Sequence, residues 1–194
     1  MRIAIIDYGA GNTQSVKYAL KRLGCEGVLT SDKEVISKSD KVIFPGVGQA
    51  SSAMKKLKSK SLDVLIPNLK QPVLGICLGM QLMCNFSEEG DVDCMKIFDS
   101  NVKRFDNSLK VPQIGWNTIF DLKTRLFDSV YENEYMYLVH SYYVPVLTDT
   151  VATSNYGINY STAVKKNNFT GVQFHPEKSG SKGELVLKNF INNK

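Results

Sequence analysis

The residues best suited to chemistry in this chain are a cysteine and a histidine far apart in sequence. Cys77 stands in Val73-Leu74-Gly75-Ile76-Cys77-Leu78-Gly79-Met80-Gln81, where an apolar run ends in a thiol held between glycines and a helix-compatible stretch follows. Gly-x-Cys-x-Gly has the shape of a nucleophile elbow, ordinarily written with serine at its centre. The side chain leaves the sheet on a strained turn, and residues without a Cβ let neighbouring backbone pass that closely. A helix beginning there points its N-terminus at the sulfur and favours thiolate. A buried core cysteine is the other reading of the same stretch.

A thiol nucleophile needs a base within hydrogen-bond reach, and the base needs an orienting group. Only His140 and His175 offer an imidazole. His175 lies in Gln173-Phe174-His175-Pro176-Glu177, directly after an apolar strand-like run. Pro176 cannot continue a ladder and forces a turn. The carboxylate of Glu177 can then fold back beside the ring, fix its tautomer and stabilise the imidazolium. Taken alone, a histidine at a strand end is also a common structural residue. His140, in Val139-His140-Ser141-Tyr142, has no acid beside it in sequence and keeps the structural reading.

Size and composition set the frame for these groups. The 194 residues are 43% hydrophobic and 22% charged, enough apolar material for one good core and no sign of disorder. One domain over residues 1–194 is therefore expected. The net charge of +5 is spread along the chain. Its densest group, Lys55, Lys56, Lys58 and Lys60, reads as the wet face of a helix rather than a nucleic-acid patch. Met1-Arg2-Ile3-Ala4-Ile5-Ile6-Asp7 reaches an acid too soon for a signal segment, and no stretch is long enough to span a bilayer. Cys25, Cys77, Cys84 and Cys94 show neither CxxC pairing nor disulfide-dense spacing, and two histidines supply a metal site poorly. A reduced, cytoplasmic protein with no metal or cofactor fits these features.

The elements that position the thiol alternate. Ile3–Ile6 and Val73–Ile76 read as buried strands, Gly27–Leu29 begins a second strand region, and Lys41–Phe44 is a third strand. Between them, Val16, Ala19, Leu20 and Leu23 recur at helical spacing, as do Ala50, Ala53, Met54 and Leu57, and again Leu62, Leu65, Ile66 and Leu69. That alternation means βαβ units and a largely parallel sheet flanked by helices. From about Val102 the pattern changes to short strands, Val102–Phe105, Met136–Val139, Val151–Thr153 and Phe169–Phe174, with few helical repeats between them. These predict antiparallel additions to the first sheet, with a last helix near Glu184–Ile191. Gly9-Ala10-Gly11 after the first strand invites a dinucleotide-binding reading, but Gln14 stands where the third glycine belongs. A tight strand-to-helix turn accounts for those glycines.

Six segments in order over nearly the whole chain carry a family resemblance. They are Asp7–Asn12, Pro45–Gly48, Gly75–Gln81, Ser87–Gly90, Gly115–Asn117 and Gln173–Lys178. The pair Gly-x-Cys-x-Gly-x-Gln and His-Pro-Glu resembles the class I (triad) glutamine amidotransferases, and the full set is similar to the glutaminase subunits of imidazole glycerol phosphate synthases. The resemblance implies an α/β, flavodoxin-like amidotransferase fold. It also implies hydrolysis of glutamine to glutamate and ammonia through a γ-glutamyl thioester, with Cys77 as nucleophile, His175 as acid–base and Glu177 as its support. Oxyanion donors are then expected from Leu78 and Val47, and substrate contacts from Gly48, Gln81, Glu89 and backbone near Ser141 and Tyr142.

By the same resemblance, Asn12, Trp116 and Lys178 face a partner, a TIM-barrel synthase that receives the ammonia in histidine biosynthesis and carries out the ring chemistry itself. Bulk water would protonate and dilute the ammonia, so such a pair delivers it along a dry path. Glutaminase activity is expected to be weak alone and stimulated by the loaded synthase. For Trp116 the competing reading is plain core; for Glu89 and Lys178 it is solvated surface. Two departures are visible. Gln113 stands where the family often has histidine, and Gly180 where serine is usual. Other readings are an amidotransferase serving a different synthase, for instance in sugar amination, and another Cys-His hydrolase of the fold, such as a γ-glutamyl hydrolase. A non-enzymatic nucleotide-binding module rests on Gly9-x-Gly11 alone.

Overall fold

In the computed structural model, which describes residues 1–193, the first half of the chain alternates as its pattern predicts. β1 (Ile3–Ile6), α1 (Thr13–Arg22), β2 (Gly27–Thr30), α2 (Lys33–Ser37), β3 (Lys41–Gly46), α3 (Ala50–Ser59), α4 (Leu62–Leu65), β4 (Val73–Cys77) and α5 (Leu78–Gln81) follow in order. The second half adds β5 (Phe86–Ser87), β6 (Val92–Asp93), β7 (Asn101–Arg104), β8 (Gln113–Ile119), β9 (Glu134–His140) and β10 (Tyr142–Pro145). β11 (Thr150–Asn155), β12 (Asn159–Lys166), β13 (Phe169–Val172) and α6 (Gly180–Asn192) complete it.

The main sheet runs β2-β1-β3-β4-β13-β12-β10-β7-β5-β6, with β11 on β12. Its strands β2, β1, β3, β4 and β13 are parallel. Side chains alternate between two cores, as strand geometry requires. Ala4, Ile6, Val42 and Phe44 pack with Ala53, Met54 and Leu57 of α3. Ile3, Ile5, Ile43, Leu74 and Ile76 pack with Val16, Ala19 and Leu20 of α1 and Val186, Leu187 and Phe190 of α6. Covering both faces is what makes the continuous apolar strands favourable.

The structure corrects three expectations. The helix expected over Leu62–Leu69 is a single α-turn followed by a 3₁₀ turn at Ile66–Asn68, because Pro67 cannot supply the N–H that an α-helix needs there. The strand Phe169–Phe174, grouped with the antiparallel additions, instead lies parallel to β4 in the middle of the sheet and antiparallel only to β12. Met136–Val139 does not join that sheet; β8 and β9 form a separate antiparallel ribbon. The sequence reading also passed over the short helix α2 and the strand β12.

Close approach between β3 and the turn after β4 fixes the elbow. A Cβ at Gly79 would overlap the carbonyl oxygen of Phe44, and one at Gly46 would stand 2.6 Å from the Gly79 nitrogen. At Gly9 the demand is conformational instead, with φ +81° and nothing within 4 Å of an added Cβ. Gly79→Ala should therefore lower unfolding free energy by about 3 kcal/mol or more, since the overlapped atom is backbone. Gly9→Ala should lose only about 1–2 kcal/mol, the left-handed strain of a residue with a Cβ. Urea denaturation of both variants measures the difference.

Candidate active site

Cys77 ends β4 with φ 54° and ψ −112°, an unfavourable backbone for a residue with a Cβ, and the glycine contacts above hold it there. Its residue pairs with Gly46 across β3. β13 runs on β4's other side with Val172 beside Ile76, and the chain continues past it to Gln173 and His175. His175 donates its backbone N–H to the Tyr137 carbonyl of β9 at 2.9 Å. Pro176 then opens a 3₁₀ turn over Pro176–Lys178 that swings Glu177 back.

Within that turn His175 Nδ1 and Glu177 Oε1 are 2.8 Å apart, with both side chains buried. The carboxylate fixes hydrogen on Nδ1 and leaves Nε2 for chemistry. Nε2 is buried without a hydrogen-bond partner. Burial pushes the imidazole down, but Cys77 and Glu177 outweigh it and hold it up to about 10. Cys77 thus raises the ring while His175 Nε2 makes no hydrogen bond.

A cleft of about 190 Å³ opens on these groups. Val47, Gly48, Cys77, Leu78, Gln81, Glu89, Ser141, Tyr142 and His175 all line it, so the structure brings together every predicted catalytic, oxyanion and substrate residue except Glu177, which stands behind the ring. Glu89 accepts the Ala50 N–H at 3.0 Å, anchoring it to the start of α3. Burial raises its carboxyl and that N–H opposes the rise. The Tyr142 carbonyl accepts from Gln81 Nε2 at 2.9 Å and His140 Nδ1 at 2.7 Å, and the Ser141 carbonyl accepts from Phe105 N. Both carbonyls of this segment are therefore engaged within the fold.

His140 also lines the cleft, its ring bonded to the Tyr142 carbonyl rather than to a carboxylate. Burial pushes it down to about 4, against the pull of the Tyr142 carbonyl, so it stays neutral near pH 7. A base needs a partner that stabilises its cation, and only His175 has one.

The family follows from sequence. Residues 4–193 match the class-I glutamine amidotransferases. The chain belongs to that family. It is 58% identical to imidazole glycerol phosphate synthase subunit HisH of Bacteroides fragilis, over 98% of this chain and 99% of that one. Against the subunit of the same name from Haemophilus influenzae it is 50% identical, over 98% and 97%. Among solved structures, PurLQS from Thermotoga maritima has the same fold with a TM-score of 0.74 at 18% identity, over 98% of this chain and 97% of that one.

In this amidotransferase the three expected partner residues lie outside the cleft. Trp116 is 55% exposed, which removes the core reading. Its ring meets Tyr137 edge-on at 6.1 Å, and Lys178 Nζ stands 5.9 Å over the same Tyr137 ring. Asn12 precedes α1, which packs against the Pro176–Lys178 turn, and makes no side-chain capping bond. Gln113 is buried against the Tyr160 hydroxyl at 3.1 Å, so that departure belongs to packing beneath β9 and not to the surface. Gly180 adopts φ +61° in open space at the start of α6.

Sequence reasoning missed Ser179 and gave Gln173 no role. Ser179 donates to the His175 carbonyl at 2.7 Å and accepts from Tyr137 N at 2.9 Å, locking the turn to β9. Gln173 is fully buried with its amide against Cys77. Its signal was period-two spacing from His175, which puts the two side chains on one face of an extended chain.

The raised imidazole sets a pH dependence of stability. Folded His175 keeps its proton to about pH 10, against 6.5 ordinarily, so the folded form binds more protons across that interval. The contribution is complete below the ordinary value and is lost as pH rises through the folded one. Urea denaturation at about pH 6 and about pH 10 should show a larger loss in the wild type than in His175→Gln.

Proposed function

We propose that this chain is the glutaminase subunit of an imidazole glycerol phosphate synthase, built as one amidotransferase domain and working in the cytoplasm. The observation that carries the mechanism is a buried imidazole with one nitrogen on a carboxylate and the other left unpaired beside Cys77.

Cys77 thiolate attacks the side-chain amide carbon of glutamine, and the imidazolium of His175 gives its Nε2 proton to the departing ammonia. The γ-glutamyl thioester is then attacked by water, which yields its proton to His175; collapse expels the thiolate and releases glutamate. Each tetrahedral oxyanion meets the N–H of Leu78 and an N–H of the Val47 loop, two segments that already touch through Gly46 and Gly79. Glu89 takes the substrate's ammonium, while N–H groups near Gly48, Ser141 and Tyr142 take its carboxylate. Gln81 turns its carbonyl oxygen to the ligand, because its NH₂ is spent on Tyr142 and Gln173.

Ammonia is a nucleophile only while unprotonated, so a synthase must seal the site and accept it. The exposed face of the β8–β9 ribbon suits that docking. Ile114, Trp116 and Tyr135 on it are all large, apolar and more than half exposed. Val139, cross-strand from Ile114, lines the cleft, so one face runs from the chemistry to the surface. With a TIM-barrel synthase as partner, Asn12, Trp116 and Lys178 form part of the contact.

The test mixes this chain with the TIM-barrel synthase of the same genome and follows glutamate and imidazole product. Glutamine turnover should be weak alone and rise with the loaded synthase. Cys77→Ala should abolish it, His175→Ala should lower it by about 10²–10⁴, and Glu177→Gln should cost less than either, as the third triad member does. Glutamate without imidazole product would retain the glutaminase and reassign its synthase. Full turnover by the isolated chain would refute the coupling.

A further inference from the structure

Two buried glutamines join the cleft wall to the sulfur by a relay whose direction is fixed. It starts at the Tyr142 carbonyl oxygen, which can only accept, so Gln81 must present its NH₂ there, at 2.9 Å. The same Nε2 donates to Gln173 Oε1 at 2.8 Å. Gln173 is thereby held with its oxygen toward Gln81, and its Nε2 faces Cys77 Sγ at 3.6 Å. No flip of either amide preserves these contacts: turning Gln173 would set two NH₂ groups against each other in a buried site.

The sulfur also has an acceptor, the Val139 carbonyl at 3.9 Å. A thiol can donate to that carbonyl; a thiolate cannot. The two neighbours therefore favour opposite forms of the nucleophile, Val139 the protonated one and Gln173 the ionised one. Neutral donors of this kind act at the moments when sulfur carries charge, before attack and again when the thioester collapses.

We infer that Gln173 is a hydrogen-bond donor to the nucleophile that holds Cys77 sulfur in its reactive form, and that Gln81 is the positioning residue that fixes the orientation of the Gln173 amide. This rests on the reading of Cys77 as nucleophile. It adds a second group to His175 in activating the thiol, one whose donation does not depend on its own protonation.

The experiment measures iodoacetamide alkylation of Cys77 in the full chain as a function of pH, read on the Cys77 peptide by mass spectrometry, with folding followed by circular dichroism. Gln173→Leu and Gln173→Met keep the volume and remove the donor, while Gln81 keeps its bond to Tyr142. Both should move the alkylation profile to higher pH, with about tenfold less thiolate reaction near neutrality, the size of one charge-assisted hydrogen bond. Gln173→Glu still accepts from Gln81 but sets a carboxylate against the sulfur, and should move it further. A packing role alone would leave the Gln173→Leu and Gln173→Met profiles on that of the wild type, and that result overturns the inference. Glutaminase activity surviving in Cys77→Ala would instead overturn the reading beneath it.

Discussion

The site depends on the register of two parallel strands distant in sequence. β4 and β13 pair Val73 with Phe169, Leu74 with Thr170, Gly75 with Gly171 and Ile76 with Val172. The residues that follow each strand, Cys77 on one side and Gln173 and His175 on the other, must then emerge together at the same end of the sheet. A slip of one residue would turn His175 to the opposite face and dismantle the site without breaking the fold. Such a slip is opposed by the alternation of side chains into two separate cores, with Ile76 and Val172 in one and Val73 and Phe169 in the other. The apolar effect that stabilises the domain thus also sets the distance between nucleophile and base.

Given that register, the burial of charge becomes intelligible. An ionised pair out of water is costly unless each partner is well matched. His175 and Glu177 meet that condition with one short contact, yet leave His175 Nε2 and Glu177 Oε2 buried and unpartnered. Orphaned polar atoms of this kind are rare and destabilising, so two of them within the span His175–Glu177 mark where the fold gives up stability for chemistry. His140, lining the same cleft, shows the opposite solution: buried, bonded to the Tyr142 carbonyl and neutral.

How much of this was legible in the sequence varies with how local the signal is. The elbow could be read because its demand is met by adjacent residues: glycines at 75 and 79 around a thiol, with Gly79 against the Phe44 carbonyl. The His175–Glu177 pair was equally local, set by Pro176 between them. The parallel strands β1, β3 and β4 carried continuous apolar runs that two-sided burial explains. Pairing partners were not legible. Phe169–Val172 resembles any short strand, and nothing within it says that its neighbour is β4. β12 went unread because its polar residues, Ser161 and Thr162, are buried and bonded to Pro145 and Ser154, which masks the expected alternation. The glutamine relay needed three distant segments at once, β10, α5 and the end of β13, and so was beyond any one-dimensional pattern.

The ribbon of β8 and β9 is where these threads meet. A two-stranded ribbon is marginal by itself, so something outside must hold it. Part of the support comes from β11, through Phe120 against Thr153, and from Ser154 Oγ donating to the Thr118 carbonyl at 2.7 Å. Ile119, Met136 and Leu138 add apolar burial in the second core, and the site contributes two bonds: Tyr137 accepts from His175 N and donates to Ser179 Oγ, both at 2.9 Å. Two of the bonds that stabilise the ribbon therefore also hold the turn that carries the base. On its outer side the same Tyr137 carries the Trp116 edge and the Lys178 ammonium. One residue of one strand is held by the catalytic turn through its backbone and by surface groups through its ring. Surface and base cannot shift independently while those bonds persist.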